Sequence, residues 1–407
     1  MTIEILSIGN ELLAGHTINS NAAMISQTLL PHGFAVDCVT TLPDVIPVLK
    51  KGVEDAMERA SFVITTGGLG PTGDDLTREV IAEIFQTPLI YNEEVAKDLA
   101  KRFSPELPTL EDQAHVPKGA LVLHNPIGTA PGFILTNSKS TVIVLPGVPS
   151  QMEALLEQVI PYLEKHIKKT RYVQSLYFCQ LSEIALDPFL RQLEKENPGI
   201  QIGICPGYGT LSVFIHAQSL ALLEPIANRV VEEFKPYFFS EASKKIESAL
   251  QEWMITHHKT FACAESCTGG HMAARLTAMA GASEYFKGSI VSYSNSVKES
   301  VLHVSPTTIK NYGAVSEEVV REMVRGALQL TDADYAISVS GVAGPSGGSP
   351  SKPVGTIWGA IASKDQIFTG QFRAKGVQKR GLVIDYTVTF LLSSLWRYLK
   401  HQTQPFL

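Results

Sequence analysis

The sequence predicts an α/β protein of three domains: a doubly wound, mainly parallel sheet, a small α+β domain and a second α/β unit. Its 407 residues exceed the ~100–200 residues that one ordinary domain holds. Apolar residues make up 44% of the chain and charged residues 18%, a balance typical of globular α/β proteins. Strand-length apolar runs alternate with helical patterns, and breaks in this alternation place the domains at 1–168, 169–243 and 244–407.

In the first domain, strands and helices follow one another along the chain. The predicted strands are IEILSI, FAVDCVT, FVITT and TVIVLP, and the predicted helices lie near 21–30, 48–60 and 76–85. This succession is typical of a doubly wound parallel sheet. Such sheets bind ligands at the carboxyl ends of their strands, so the loops that follow the strands are the places to look for a site.

The second and third domains have different element orders. The second reads β-α-β-β-α, with strands VQSLYFCQL, IQIGICPG and TLSVFIHA and helices near 184–195 and 220–234. So many elements in so short a span indicate a small α+β domain. The third begins with a helix and continues through the strands KTFACAE, SIVSYS, YAISVSG, VGTIWGAIAS and IFTGQF.

Net charge and cysteine content indicate which partners the protein can bind and in which cellular compartment it is expected. A net charge of −6 and a pI near 6.0 argue against nucleic acid or an anionic membrane as the main partner, because both require a basic face. The five cysteines form no C-x-x-C pair and are odd in number, so we expect no disulfide framework. No apolar run reaches ~18 residues, and the amino terminus reads as a core strand rather than a leader. We therefore expect a cytoplasmic protein.

The stretch VITTGGLGPTGDDLT combines a strand, a glycine turn and two carboxylates before a helix. Backbone N–H groups of Gly67, Gly68 and Gly70 can approach an anion closely, because glycine lacks a Cβ. Asp74 and Asp75 could supply oxygen ligands to a divalent ion that bridges bound phosphates. The alternative is a purely structural glycine turn with an aspartate that caps the helix.

Two further strand-end loops point to the same crevice. The loop after the first strand carries Glu11 and Asn21, and the loop after the strand TVIVL carries Gly147. Loops at the carboxyl ends of neighbouring strands converge, which favours a ligand site. Glu11 also has a simpler interpretation as a helix N-terminal charge that the helix dipole stabilises.

In the third domain, two nucleophiles follow the strand KTFACAE in the segment AESCTGG. Ser266 and Cys267 precede a helix start, where the dipole stabilises a developing anion, and either could act. Lys298 lies at a second helix start, and a lysine whose pKa falls on burial can accept a serine proton. The alternative for Lys298 is an exposed helix lysine. Glu265 could cap the helix or orient a partner.

The segment SGVAGPSGGSPSKPVGT, between Ser340 and Thr356, is too rich in glycine to be a regular element. Its backbone N–H groups could bind a phosphate or an oxyanion. A flexible surface loop is the alternative.

Five motifs in the first domain resemble, in order, the amino-terminal half of the CinA family: IGNELLAG, INSNA, TTGGLGPTGDDLT, GTAPG and LPGVP. The resemblance implies a molybdopterin-binding (MoCF-like) fold and metal-dependent hydrolysis of the pyrophosphate of ADP-ribose. It implies a divalent ion (Mg, Mn or Co) with Asp75 and Glu11 as ligands. From its position in the sequence, Asp74 is a further candidate ligand and could accept a proton from the attacking water. Substrate contacts would come from Gly67, Gly68, Gly70 and Asn21.

The third domain resembles the carboxy-terminal domain of the same family, the nicotinamide mononucleotide deamidase, through AESCTGG, YSNSVK, GAVS and GVAGPSGG…KPVGT. The resemblance implies Ser266 as nucleophile and Lys298 as base, with Cys267 packed in the core and no cofactor. Both reactions would serve pyridine-nucleotide recycling.

The positions of further residues in the third domain predict other roles in this reaction. Tyr293 would orient Lys298 or the substrate, backbone groups near Thr268 and Gly269 would form the oxyanion hole, and Gly270 would contact the substrate. The substrate phosphate would contact a set of glycines and one arginine: Gly344, Gly347, Gly348 and Arg380. The family usually carries Gly-Asp-Arg after the last strand. Here its arginine is replaced by Gly376, with Lys375 or Arg373 as substitutes.

The middle domain resembles the KH-like or ferredoxin-like insert of full-length family members. It lacks a G-x-x-G loop flanked by basic residues, so we expect no RNA binding and interpret the domain as a spacer or dimerisation element. We expect a homodimer that acts on small nucleotides, namely nicotinamide mononucleotide and ADP-ribose. The alternative is a non-catalytic, competence-associated or pterin-binding regulatory protein.

Overall fold

A computed structural model describes residues 1–104, 110–168, 172–374 and 379–406. The chain divides into two compact units, one of Met1–Val173 with Ala217–Leu220 and one of Gln174–His216 with Ala221–Leu407. The second unit contains both the predicted middle domain and the predicted third domain. The exact boundaries of the three domains stay a prediction.

The first unit is built on a six-stranded sheet in the order β2-β1-β3-β8-β7-β6. Its strands, with the separate pair β4 and β5, are β1 (Ile3–Ile8), β2 (Cys38–Leu42), β3 (Phe62–Thr66), β4 (Leu89–Tyr91), β5 (His115–Pro117), β6 (Leu121–Leu123), β7 (Gly132–Thr136) and β8 (Thr141–Leu145). The pairs β1 with β2, β1 with β3, and β3 with β8 are parallel. The pairs β8 with β7 and β7 with β6 are antiparallel, so β7 alone runs against the other strands of this sheet among the described residues. The predicted doubly wound, mainly parallel sheet is confirmed.

Helices of the first unit cover both faces of this sheet. They are α1 (Asn10–Leu13), α2 (Ser20–Leu29), α3 (Ile46–Arg59), α4 (Thr77–Ile84), α5 (Glu93–Arg102), α6 (Leu110–Gln113) and α7 (Pro149–His166). Successive residues of β1 serve opposite cores: Ile5 packs with residues of α2 and α7, and Leu6 packs with residues of α3 and α4. Burial on both faces explains why the strands read as unbroken apolar runs.

The second unit contains a four-stranded sheet in the order β10-β11-β9-β12. Its elements are β9 (Tyr172–Cys179), α8 (Glu183–Glu196), β10 (Gln201–Pro206), β11 (Thr210–Ala217), α9 (Leu220–Glu233) and β12 (Phe238–Ser240). β11 alternates buried and half-buried residues, as a sheet with one covered face requires. The predicted β-α-β-β-α order is present, and the short strand β12 adds to it.

A five-stranded sheet in the order β14-β13-β15-β16-β17 forms the rest of the second unit. Its strands are β13 (Phe261–Glu265), β14 (Phe286–Val291), β15 (Tyr335–Gly341), β16 (Thr356–Ser363) and β17 (Ile367–Arg373). The helices are α10 (Ile246–Thr256), α11 (His271–Thr277), α12 (Asn295–Leu302), α13 (Pro306–Tyr312), α14 (Glu317–Thr331) and α15 (Arg380–His401). β13 lies in parallel between β14 and β15, so the carboxyl ends of all three strands share one edge.

Candidate active site

Ser266 lies at this shared edge, in the turn between β13 and α11. Gly269 and Gly270 in the turn have φ of +60° and +94°, the left-handed region that favours glycine. The Ser266 N–H donates to Val339 O of β15 at 3.0 Å, which fixes the residue to the neighbouring strand. Only 9% of Ser266 is exposed. A strand end and a glycine turn therefore hold this hydroxyl at the margin of the core.

Lys298, on α12, points its ammonium at the same place. Its Nζ donates to Ser266 Oγ at 2.9 Å and to Ser292 O at 2.6 Å. Lys298 is 1% exposed and forms no ion pair with a carboxylate within the part of the chain that the structure describes. Burial lowers the pKa of Lys298, because desolvation disfavours the charged ammonium. The alternative of an exposed helix lysine is wrong.

Cys267 packs into the core instead. It is 7% exposed and lies among the apolar residues that α10, α11 and α15 cover. Burial raises the pKa of Cys267 to about 12. Its thiol therefore remains protonated near neutral pH and is a poor nucleophile. The tertiary structure thus favours Ser266 over the neighbouring thiol.

Glu265 is fully buried and caps helix α11, as one of its two interpretations predicted. Its carboxylate accepts hydrogen bonds from three backbone N–H groups and one hydroxyl, at Gly270 (3.1 Å), Met272 (3.0 Å), Ala273 (3.0 Å) and Ser289 Oγ (2.9 Å). Its main-chain oxygen accepts from Ser292 N at 2.8 Å, and Ser292 O in turn accepts from Lys298. Glu265 therefore connects the serine turn to the acceptor that holds the lysine.

Sequence reasoning missed Ser289 and Ser292. The sequence held a signal for them, since both belong to the predicted strand SIVSYS beside the nucleophile strand. Their contacts depend on the register of β13 against β14, in which Glu265 faces Val291. Only the folded sheet gives that register.

The turn also changes the predicted oxyanion hole. The Gly269 N–H donates to Ser266 O at 3.1 Å, and the Gly270 N–H donates to the Glu265 carboxylate. Both groups are therefore occupied by the turn itself and are not free for a substrate oxygen. Thr268 remains: its N–H has no backbone acceptor, and its buried Oγ1 has no partner, among the described residues.

Tyr293 and Arg380 meet near the glycine-rich loop. Arg380 donates to Tyr293 Oη at 3.0 Å and to Gly344 O at 2.8 Å. Tyr293 is 61% exposed, and no hydrogen bond joins it to Lys298 within the described residues. The prediction that Tyr293 orients Lys298 therefore lacks support in the structure. Its other predicted role, contact with the substrate, stays a prediction.

Lys352 anchors the glycine-rich loop. Its Nζ donates to Val315 O at 2.7 Å and to Tyr312 O at 3.1 Å, so the loop is tied to the turn before α14. Gly347 and Gly348 are exposed, and within the described ranges no hydrogen bond joins them to Ser266. Gly376 and Lys375, on which the expected loss of a family arginine depends, lie outside the described residues.

In the first unit, residues that follow β1 and β8 meet the end of β3, as predicted for two of the three strand-end loops. A cavity of about 80 Å³ is lined by residues of these loops, including Glu11, Asn21, Thr66 and Gly147. Asn21 Nδ2 donates to Thr66 Oγ1 at 2.9 Å and to Gly147 O at 2.7 Å. Its Oδ1 is buried without a partner among the described residues. The side chain thus offers one free acceptor at this cavity.

The glycines of the first site are required by packing. A Cβ on Gly67 would collide with Ile8 O, one on Gly68 with the Thr77 side chain, and one on Gly70 with Asp75. The Gly67 N–H already donates to Leu145 O at 3.1 Å, so it is not available to a phosphate. Gly68 and Gly70 keep N–H groups without a backbone acceptor in the described chain. The prediction for Gly67 is therefore corrected to a structural role.

The carboxylates of this unit do not form a ready metal site. Thr72 contacts both aspartates: its Oγ1 lies 2.5 Å from Asp74 Oδ1 and 2.5 Å from Asp75 Oδ2. The Thr72 hydrogen bond lowers the pKa of Asp74. Burial raises the pKa of Asp44, with added repulsion from Glu11, Asp74 and Asp75. No local motif in the sequence marks Asp44 as part of this site. Across the described residues, no three acidic, histidine or cysteine side chains are placed to hold a metal ion.

Two family models match this chain. Residues 243–399 match the CinA C-terminal domain, and residues 4–165 match a family described as "Probable molybdopterin binding domain". None of the helices in the described ranges is long and apolar enough to span a membrane.

Similar full-length proteins carry CinA names. The chain is 38% identical to the CinA-like protein of Thermosipho melanesiensis over 87% of this chain and 88% of the relative. It is 36% identical to the CinA-like protein of Dictyoglomus thermophilum over 93% of this chain and 95% of the relative. Among solved structures, a competence-damaged protein (CinA) superfamily protein of Klebsiella pneumoniae is 36% identical. That match covers 38% of this chain and 96% of the other, with a TM-score of 0.37.

Proposed function

The chain belongs to the CinA family, and on this premise we propose that its carboxy-terminal part is an amidohydrolase that releases ammonia from nicotinamide mononucleotide. One observation carries the proposal. A buried lysine without a carboxylate partner among the described residues lies 2.9 Å from the hydroxyl of Ser266. Burial lowers the pKa of this lysine, so it loses its proton more readily than a free lysine and can serve as a base for serine.

The reaction follows from the positions of the two side chains. Ser266 Oγ attacks the carboxamide carbon while its proton moves to Lys298 Nζ, which requires the lysine to be neutral. Lys298 then gives the proton to the departing nitrogen, and ammonia leaves the acyl-enzyme. Water, deprotonated by the same lysine, cleaves the ester and restores Ser266. Ser266 and Lys298 supply the nucleophile and the proton transfers, and the proposed steps involve no cofactor.

Thr268 is the preferred donor to the developing oxyanion. Its N–H and its buried Oγ1 have no other partner among the described residues, and an unpaired donor in a buried turn can be satisfied by substrate. Arg380 would bind the phosphate of the mononucleotide, because its guanidinium is exposed beside Tyr293 and the glycine-rich loop. These two contacts would fix opposite ends of the substrate.

Ammonia release from nicotinamide mononucleotide tests the proposal. Ser266→Ala and Lys298→Met should each lose nearly all activity, and Cys267→Ala, the matched control in the same turn, should keep it. Each variant is checked by circular dichroism. If folded wild-type protein releases no ammonia, the deamidase assignment fails. That result would favour the alternative of a non-catalytic, competence-associated or pterin-binding regulatory role.

We also propose that the amino-terminal unit hydrolyses ADP-ribose. The support is a cavity with a free Asn21 acceptor, at which residues after β1 and β8 meet the last residue of β3, together with Asp74 and Asp75 in the glycine turn that follows β3. These carboxylates do not form a three-ligand set among the described residues. The phosphates of the substrate would therefore have to supply the remaining ligands of a divalent ion (Mg, Mn or Co).

The second activity is tested by AMP release from ADP-ribose with and without each metal. Asp75→Asn and Glu11→Gln should abolish metal-dependent release, whereas Glu58→Gln, on the exposed surface of α3, should not. Equal release by all variants would refute the assignment of these carboxylates. A homodimer and nucleotide partners stay predictions, which sedimentation and the two assays address.

A further inference from the structure

A cavity of about 390 Å³ in the second unit lies apart from Ser266 and Lys298. Residues from the ends of α9, α10 and α15 and from β12 line it: Val231, Lys235, Phe238, Phe239, Ala249, Glu252, Trp253, Thr256, His257, Trp396, Lys400 and His401. We call it the aromatic cavity. Its volume is in the range of small-molecule pockets, and such pockets are frequent where two folded parts meet.

Aromatic side chains form part of the wall of the aromatic cavity. Phe239 and Trp396 are 7% and 4% exposed, and their rings meet edge to face at 6.3 Å. Trp253 is held in place by stacking on His257 at 4.1 Å and by an edge contact with Tyr335 at 6.2 Å. Aromatic side chains fixed by their neighbours offer rigid surfaces for another ring. The cavity is therefore suited to a planar aromatic ligand.

The charges around the cavity favour an anion. Lys235 and Lys400 are exposed at its rim, and Glu252 is the one acidic side chain that lines it among the described residues. Burial lowers the pKa of His401, and Lys400, Arg397 and Lys235 lower it further, which indicates a positive potential at this wall. Glu232 pairs with Lys235 at 3.3 Å in exposed positions, so this pairing is weak.

We propose that the aromatic cavity binds a planar aromatic anion, an aryl carboxylate or aryl phosphate, with its ring between the tryptophans and its charge toward Lys235 and Lys400. The proposal goes beyond the deamidase function, because the cavity shares no residue with the Ser266 site. Neither reaction proposed above uses it.

Fluorine NMR of the full chain labelled with 5-fluorotryptophan tests this site directly. Two of the chain's three tryptophans line the cavity, and the third, Trp358 on β16, is an internal control. Tryptophan-to-phenylalanine variants assign the three signals. The probes are three molecules with the same ring system and different charge: 2-naphthoate, neutral 2-naphthamide and cationic (2-naphthylmethyl)trimethylammonium.

We expect 2-naphthoate to shift the signals of Trp253 and Trp396 and to leave Trp358 unchanged. Its affinity should exceed that of the amide and of the cation. Lys235→Met and Lys400→Met should each weaken 2-naphthoate roughly two- to fivefold, the size of an exposed ion pair, and leave the amide unchanged. Lys195→Met, an exposed lysine on α8, is the matched control. Ala249→Phe, which fills the cavity, should abolish the shifts.

Several results would overturn the proposal. Absence of shifts at Trp253 and Trp396, or equal shifts at Trp358, would mean that the cavity is not a binding site. Tighter binding of the cation would mean that the ligand class is wrong. Because the readout does not depend on catalysis, the outcome is separate from that of the ammonia assay.

Discussion

Replacement of Lys298 is the sharpest test of the proposed chemistry. In Lys298→Met the apolar stem remains, but Ser266 Oγ and Ser292 O lose the ammonium that contacts them at 2.9 and 2.6 Å. Loss of a general base lowers the rate by about 10²–10⁴-fold. Lys298→Arg is the companion variant, because a guanidinium keeps the positive charge and cannot lose its proton in a protein. Both variants should lose activity for the same reason.

The pH dependence gives the second part of this prediction. Because burial lowers the pKa of Lys298 below its ordinary value of 10.5, the neutral lysine exists at lower pH than in a free side chain. The kcat/KM for ammonia release should therefore rise with pH and level off above the lowered pKa. A rise that continues to pH 10.5 would contradict the assigned role of desolvation.

Stability should depend on pH with the same sign. Between the lowered pKa and 10.5, the unfolded chain binds a proton that folded Lys298 does not bind, so the free energy of unfolding rises with pH. The slope can reach about 1.4 kcal/mol per pH unit for one group. Urea unfolding at several pH values should show this slope in wild type and its absence in Lys298→Met.

Deamidation within tenfold of wild type by folded Lys298→Met and Lys298→Arg would refute the assignment of Lys298 as the base.

Three further substitutions test the surrounding positions. Cys267→Ala should keep ammonia release and lower the free energy of unfolding by about 1 kcal/mol in urea titrations, because the thiol only packs in the core. A large loss of kcat would indicate that Cys267 takes part in the reaction. Glu265→Gln places an amide NH₂ against backbone N–H donors, so the melting temperature should fall, and kcat should fall by a larger factor than KM changes. An unchanged kcat would show that the hydrogen bonds of Glu265 to α11 do not position Ser266. Arg380→Met should raise KM for the mononucleotide about tenfold, with little change in kcat and with KM for dephosphorylated nicotinamide riboside unaltered. An equal change in KM for both substrates would show that Arg380 does not bind the phosphate.

Several features were predictable from the sequence. The spacing of apolar residues predicted the doubly wound sheet and the small α+β domain. A strand that is buried on both faces reads as an unbroken apolar run, and a strand that is buried on one face alternates apolar and polar residues. The turn after β13 was predictable for a similar reason. The two glycines of AESCTGG lie between an apolar strand pattern and a helical pattern, and glycine is favoured in the positive-φ positions that such turns contain.

The sequence by itself determined which residue types end these strands and which segments bury their apolar faces, because those properties depend on neighbours along the chain. The tertiary structure alone decided which polar groups remain free. Gly67, Gly269 and Gly270 already use their N–H groups within the fold, whereas the Thr268 hydroxyl has no partner among the described residues. It also decided that Lys298 is buried against Ser266. Both outcomes depend on strand register and on desolvation by distant segments, which no local pattern records.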